Sequence, residues 1–127
     1  MNKKREPYVV NSVIRSPVSS INRDTILVPR NYKILAIYSN LTVGYLDVKD
    51  NNRSIFGKNP LPCFVFDTLE KKFEFPVEVE ITTSLDVEVD LTGIQNLPTE
   101  IVITFVGVIE KEENRQNNQD KQDNQNN

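Results

Sequence analysis

Carboxylates are the side chains of this chain whose type and spacing come closest to supporting chemistry. They alternate with apolar residues over positions 77–81 and 85–91, and a strand places every second side chain on the same face. The acidic face consists of Glu78, Glu80, Asp86, Glu88 and Asp90. Acid–base catalysis needs one carboxyl group in an apolar pocket and another in a polar one, and regular alternation on an exposed face supplies no such difference. The pattern therefore favours a surface role over catalysis.

The chain lacks the other common catalytic side chains. It has no His and no Trp, so it offers no imidazole base, no Ser–His or Cys–His pair and no imidazole ligand for a metal. Its single Cys, Cys63, lies between Pro62 and an apolar run, which predicts a buried thiol of low reactivity. The glycines occur singly and form no phosphate-binding loop. We therefore expect a protein that is not an enzyme and that uses no cofactor.

Three explanations of the acidic face stay open. The first is a solvated surface that discourages association of sheet edges, with the two segments in different sheets. The second is a docking surface for a basic partner, for which Lys3, Lys4 and Arg5 of a neighbouring subunit are suitable. The third is a calcium site, although a flat strand face converges poorly on one ion and the chain has no Asp-x-Asp-x-Asp-Gly loop.

The same alternation predicts part of the core. If the two segments form a hairpin, a loop of residues 82–84 keeps apolar residues opposite each other and places Glu80 opposite Asp86. The core residues predicted from this pair are Val77, Val79, Ile81, Leu85, Val87, Val89 and Leu91.

The chain has 127 residues, a length suited to one hydrophobic core. Its composition divides it into three parts. Residues 1–24 are polar and punctuated by Pro7 and Pro17, which predicts an extended N-terminal arm. The arm is either an edge strand with loops at the border of the core or a segment that adds a strand to a neighbouring subunit. Its candidate contact residues are Lys3, Lys4, Arg5, Tyr8, Val9 and Val10.

Residues 110–127 contain no apolar residue, which predicts a disordered polar tail.

Residues 25–109 form the predicted β domain. Short runs rich in β-branched residues end in turn residues, as where Val28 is followed by Pro29. No helical periodicity is sustained, and one helical turn is expected near residues 67–70, after a strand that includes residues 63–66. Eight or nine such strands predict an all-β protein, a single antiparallel β-sandwich of jelly-roll-like architecture.

The last predicted strand, residues 101–109, is apolar on both faces. One face carries Ile101, Ile103 and Phe105, and the other is the candidate subunit contact, formed by Val102, Thr104, Val106 and Val108. A strand of this kind is covered on both sides. It is either central, with a loop or the arm packed over it, or its outer face contacts another subunit.

Charge and hydropathy limit the partners and the location. The net charge of −3 gives no overall basic field, so we expect no nucleic acid partner. No segment approaches the roughly 20 apolar residues of a membrane span, and the basic N-terminus is not followed by a secretory apolar stretch. We expect a product made in a reducing cytoplasm, without a signal peptide and without a membrane partner.

One resemblance rests on the order of segments along the core. These segments are Thr25-Ile-Leu-Val-Pro-Arg-Asn-Tyr-Lys-Ile-Leu35, Phe75-Pro76, Leu91-Thr92-Gly93 and Glu100-Ile-Val-Ile-Thr-Phe-Val-Gly107. Their arrangement resembles small jelly-roll structural proteins of tailed-phage virions. The resemblance implies a capsid decoration, head-fibre or connector role, as a homo-oligomer bound to other virion proteins and made in the host cytoplasm. It carries over no functional residue. The alternative is a ligand-binding β-sandwich, for example one that binds carbohydrate through loops at residues 50–53 and 57–62.

Overall fold

Two antiparallel β-sheets pack face to face in the computed structural model, which describes residues 3–112. Nine strands and one short 3-10 helix, Cys63–Phe66, make up this part of the chain. The strands are β1 (Lys3–Arg15), β2 (Ile21–Leu27), β3 (Tyr32–Ser39), β4 (Tyr45–Asp50), β5 (Arg53–Ser54), β6 (Leu61–Pro62), β7 (Lys72–Ile81), β8 (Ser84–Asp90) and β9 (Glu100–Glu112). The predicted all-β sandwich is confirmed.

The strand order is that of a rolled-up hairpin. Sheet A has the order β1-β9-β3-β7, and sheet B has the order β2-β8-β4-β5, with β6 also paired to β4. Strands equally distant from the middle of the chain therefore pair: β1 with β9, β2 with β8, β3 with β7, and β4 with β5 and β6. This nested pairing across two sheets is the jelly-roll arrangement.

The core lies between the inner faces of the two sheets. Alternation along each strand buries one face, so that Leu85, Val87 and Val89 of β8 are inaccessible to solvent, as are Ile101 and Phe105 of β9. The hydroxyl of Tyr32, also fully buried, donates a hydrogen bond of 3.1 Å to the carbonyl oxygen of Phe105. The polar end of the ring is thus satisfied inside the core.

The predicted arm differs from what the structure contains. Residues 3–15 form β1, which pairs with β9 along its whole length from Lys3 opposite Glu112 to Arg15 opposite Glu100. Of the two alternatives, the first strand is therefore an edge strand of its own chain's sheet, and β2, which begins at Ile21, already belongs to sheet B. The sandwich begins well before residue 25, because a strand needs only one apolar face to join an edge.

The C-terminal boundary shifts in the same way. Glu110 and Lys111 lie in β9, opposite Arg5 and Lys4, so the last strand extends beyond residue 109. The predicted disorder of the tail otherwise concerns residues 113–127, which lie outside the described part of the chain.

The segment at residues 63–66 is a 3-10 helix and not the expected strand, and no helical turn forms at 67–70. A 3-10 helix places residues i and i+3 on one side, which directs Cys63 and Phe66 together into the core.

Candidate assembly surface

The outer face of sheet A is apolar across three strands. In register, Val9 of β1 lies beside Val106 of β9, and Val106 lies beside Ala36 of β3. Neighbouring rows add Val13 beside Val102, Pro7 beside Val108, and Tyr38 beside Thr104. We call this surface the apolar face; its residues are Pro7, Val9, Val13, Ala36, Tyr38, Val102, Thr104, Val106 and Val108.

The apolar face is open to solvent in the described part of the chain. Val9, Val13 and Tyr38 are 52%, 39% and 37% exposed, the valines of β9 are half-buried, and Ala36 is buried. The strand β9 is central in its sheet. The segment expected as an arm lies beside β9 as β1 and widens the apolar face.

Polar contacts within this face are few and satisfied. The hydroxyl of Thr104 donates a hydrogen bond of 2.7 Å to the side-chain oxygen of Asn11 on the adjacent strand. The backbone N–H of Val102 donates to the side-chain oxygen of Asn40 at 3.0 Å. Because these groups already have partners, covering the face with another apolar surface leaves them satisfied.

Ion pairs border the apolar face at both ends. At one end Arg5 contacts Glu78, and the ammonium group of Lys33 lies 3.0 Å from Glu110 and 3.6 Å from Glu78. The hydrogen bond to Glu110 raises the pKa of Lys33, which keeps this lysine charged. At the other end Arg15 lies 3.1 Å from Glu100. Such surface pairs contribute little to stability, but they leave the border nearly neutral.

The predicted acidic face does not exist as one surface. The strand β7 lies in sheet A and β8 in sheet B, so the proposed hairpin is wrong and Glu80 does not face Asp86. Two residues, Thr82 and Thr83, carry the chain from one sheet to the other. The explanation that places the two segments in different sheets is the one that matches this arrangement.

Several members of the acidic set have partners within the chain. Glu78 on β7 is bound by Arg5, the residue suggested as a contact from a neighbouring subunit. Glu88 on β8 lies 3.5 Å from Arg23 and 3.6 Å from Lys49. Asp86 accepts a hydrogen bond of 3.0 Å from the hydroxyl of Thr25. In residues 3–112 no group of three or more potential metal ligands comes together.

One member of the predicted core is also misplaced. Val77 is 73% exposed and Val79 is only half-buried, whereas Ile81, Leu85, Val87, Val89 and Leu91 are buried. The register between β3 and β7 is interrupted opposite Leu35, which frees Val77 from the regular alternation.

Two depressions were not foreseen from the sequence. One, of about 220 Å³, lies on the outer face of sheet B and is lined by Ile21, Tyr45, Asp47, Pro60, Glu88 and Asp90. The other, of about 360 Å³, is an apolar groove whose lining includes Phe56, Pro60, Pro62, Phe73, Phe75 and Val77. Both depend on which strands become neighbours, and hydrophobic periodicity carries no information about strand order.

The thiol of Cys63 is fully buried, as predicted. Burial raises its pKa from 9.0 to about 12, and burial, with a smaller contribution from Tyr8, raises the pKa of the Tyr32 hydroxyl from 10.0 to about 12. Neither group is poised for reaction in the folded protein.

These two pKa values predict a loss of stability in alkali. Both groups stay protonated in the folded chain, whereas the unfolded chain releases their protons from about pH 9 upwards. The free energy of unfolding should therefore be unaffected by these groups below about pH 9 and should fall between about pH 9 and 12. Urea unfolding at about pH 8 and about pH 11 measures the effect. In Tyr32→Phe and Cys63→Ala the difference between the two pH values should be smaller, and an unchanged difference would contradict the assignment.

The pairing pattern and the apolar face define a jelly-roll β-sandwich with an apolar outer face on sheet A. No protein-family model, no curated protein and no solved structure matches this chain. Within the described residues, no helix has the length and apolar character needed to cross a membrane.

Proposed function

We propose that this protein is a non-enzymatic structural protein that self-associates through the apolar face. We further propose that it is a component of a tailed-phage virion, in a capsid decoration, head-fibre or connector role. The observation that carries the self-association is the uncovered apolar face itself. A contiguous apolar surface bordered by charged residues is typical of protein interaction sites and unfavourable when left in water.

A second copy of the chain is the partner that suits this face best. A twofold contact brings the same patch from both subunits together, so the patch must match itself in shape and charge. The apolar face is built on a sheet, its centre is uncharged, and its border ion pairs are compensated within the chain. It therefore presents no excess charge that an identical surface would repel.

The virion assignment is supported by the fold together with the resemblance of the core segments. Jelly rolls are common in viral capsid proteins, and they also occur in lectins, so the architecture favours a structural role without specifying it. Mass spectrometry of purified tailed-phage particles whose genome encodes the chain tests this assignment. Absence of the protein from the particles would overturn it.

The solution mass tests self-association. Light scattering coupled to gel filtration of the full chain should give a discrete oligomer whose mass is a whole multiple of the monomer. A monomer at every concentration would overturn self-association through the apolar face.

Ligand binding at the loop end is the second candidate function, and the apolar groove favours it. Residues 60–62, from one of the two loops considered for ligands, line this groove together with Phe56, Phe73 and Phe75. The rings of Phe56 and Phe75 are stacked at 5.9 Å. A monomer that binds a small apolar or carbohydrate ligand at this groove would replace the first proposal.

A further inference from the structure

The strand β1 has a free backbone edge. It is the last strand of sheet A, and its register with β9 is continuous from Lys3 to Arg15. The N–H of Val102 donates to Asn40, on the side of β9 away from β1. In an antiparallel pair of strands, two directly opposite residues either both direct their backbone N–H and C=O groups toward each other or both direct them away. The residue opposite Val102 on β1 therefore directs its backbone groups away from β9. That residue is Val13, and by alternation Val9 and Asn11 likewise direct their backbone groups to the open edge.

The middle of β1 lacks the features that usually protect a sheet edge, whereas its ends carry Arg5, Pro7 and Arg15. Natural edge strands are blunted by charges, proline, irregularities or short length. The central segment of β1, residues 8–14, reads Tyr-Val-Val-Asn-Ser-Val-Ile and carries no charge and no proline. It is about seven residues of regular strand, which is longer than many complete strands in globular proteins.

The other edges are protected. At the opposite edge of sheet A, β7 contains Pro76 and loses its register with β3 between Ile34 and Ala36. It also carries Lys72, Glu74 and Glu80. In sheet B, β2 carries Arg23 and Asp24, and β5 has only two residues. The contrast singles out β1 as the edge able to accept another strand.

We infer that β1 pairs antiparallel with β1 of a second copy, around a twofold axis at Asn11, to form one continuous eight-stranded sheet. In this register Val9 lies opposite Val13 and Asn11 lies opposite Asn11, so that the residues with outward-directed backbone groups hydrogen-bond to each other. Valine is among the residues that favour strands, and cross-strand pairs of this kind stabilise a sheet. The inference rests on the proposed self-association and adds to it a second contact, at the sheet edge.

The charges of the strand ends are compatible with this pairing. Arg15 lies opposite Pro7 of the second copy and diagonally across from its Arg5. Arg15 is already paired with Glu100 and Arg5 with Glu78, so each arginine approaches the other with its carboxylate partner in place. The apolar faces of the two copies become one surface, because Val9 and Val13 belong to both the face and the edge.

Cysteine cross-linking of the full chain tests the contact directly. In a hydrogen-bonded antiparallel pair the two Cα atoms are about 5.5 Å apart, which is within the range of a disulfide. Asn11→Cys should therefore give a covalent dimer under mild oxidation, whereas Leu69→Cys, at a fully exposed loop position, should not. The native Cys63 is buried and should not compete. Equal cross-linking of both variants would indicate random collision and would overturn the inference.

Proline substitution provides a second test with a matched control. The N–H of Val9 points to the open edge, so Val9→Pro removes a donor that only the second copy would use. Val10→Pro instead removes a hydrogen bond between β1 and β9 and should lower the unfolding temperature. Val9→Ala keeps the backbone donor and serves as the control for lost side-chain contact. We expect Val9→Pro to weaken association at least about tenfold relative to Val9→Ala, with the fold retained.

The outcomes separate this inference from the proposed function. An oligomer that gives no Asn11→Cys dimer and is insensitive to Val9→Pro overturns the edge contact and leaves self-association through the apolar face standing. If Thr104→Cys, at the centre of that face, cross-links instead, the copies stack face to face. A monomeric wild-type chain overturns both.

Discussion

Replacing Val106 with Asp should abolish association through the apolar face and leave the chain folded. Val106 lies in the middle row of the apolar face, between Val9 and Ala36, with no basic side chain in that row. A carboxylate there would be buried without a partner in the assembled form, at a cost of about 3 kcal/mol or more. That cost corresponds to a dissociation constant raised about a hundredfold or more.

The fold should tolerate this substitution. In the single chain the side chain at position 106 is half-buried on the outer face and does not enter the core between the sheets. Replacing valine with aspartate on one face of a strand costs about 1 kcal/mol in strand preference. Circular dichroism and urea unfolding should show a folded protein, and sedimentation should show that association through the apolar face is lost, with at most the dimer paired through β1 remaining.

Val18→Asp is the matched control, because Val18 is 54% exposed in the turn between β1 and β2 and lies outside the apolar face. It introduces the same charge and should leave the oligomer intact. If Val106→Asp dissociates no better than Val18→Asp, the apolar face is not the contact. If Val106→Asp unfolds a chain that was already monomeric, β9 is simply a central strand.

Gly107→Ala should strongly destabilise the fold. A Cβ atom at this position would lie 2.1 Å from the carbonyl oxygen of Lys33 and 3.0 Å from the ring of Tyr32. Gly107 pairs with Tyr8 on one side and Ile34 on the other, so neither neighbouring strand can withdraw without breaking the ladder. Overpacking against rigid backbone costs about 3 kcal/mol or more, which should lower the unfolding temperature by more than about 10 °C.

Gly57→Ala is the control for this second prediction. No atom lies within 4 Å of a Cβ built at Gly57, so the substitution meets only the strain of its positive φ of +89°. That strain costs about 1 kcal/mol. Urea unfolding of both variants gives the comparison, and equal losses of stability would show that β9 and β3 do not approach each other as closely as described.

The strands were predictable where a single face is buried without interruption. The alternation over residues 85–91 identifies β8 and its buried valines, and the placement of Cys63 beside apolar neighbours identifies its burial. These patterns depend on local hydrophobic periodicity, which can be read directly from the sequence.

The edge strand was harder to recognise because its inner face contains a polar residue. Ser12 is fully buried and donates a hydrogen bond of 2.7 Å to Asp24 of β2, so the inward positions do not form an unbroken apolar series. This tertiary contact is invisible in a one-dimensional pattern, which made residues 1–24 look like an arm.

Local sequence patterns also did not predict which of the two sheets each strand joins. The segments containing Glu80 and Asp86 alternate as a hairpin would, yet the two threonines between them cross from sheet A to sheet B. A loop of residues 82–84 would suit a hairpin, but the choice between a hairpin and a crossover depends on which partners the other strands supply. For the same reason the apolar face was foreseen on β9, whereas its extension over β1 and β3 was not.

The nested pairing of β1 with β9 has a consequence for synthesis on the ribosome. The first strand to emerge has its in-chain partner in the last strand, and closing so long a loop makes folding slow. Until β9 is made, both edges of β1 lack a partner, including its uncharged segment at residues 8–14. The nascent chain is thus open to pairing with other nascent chains during this interval. Pairing of β1 within its own chain should therefore wait until β9 has left the ribosome, and local crowding of nascent chains should influence whether β1 first meets its own β9 or a neighbouring molecule.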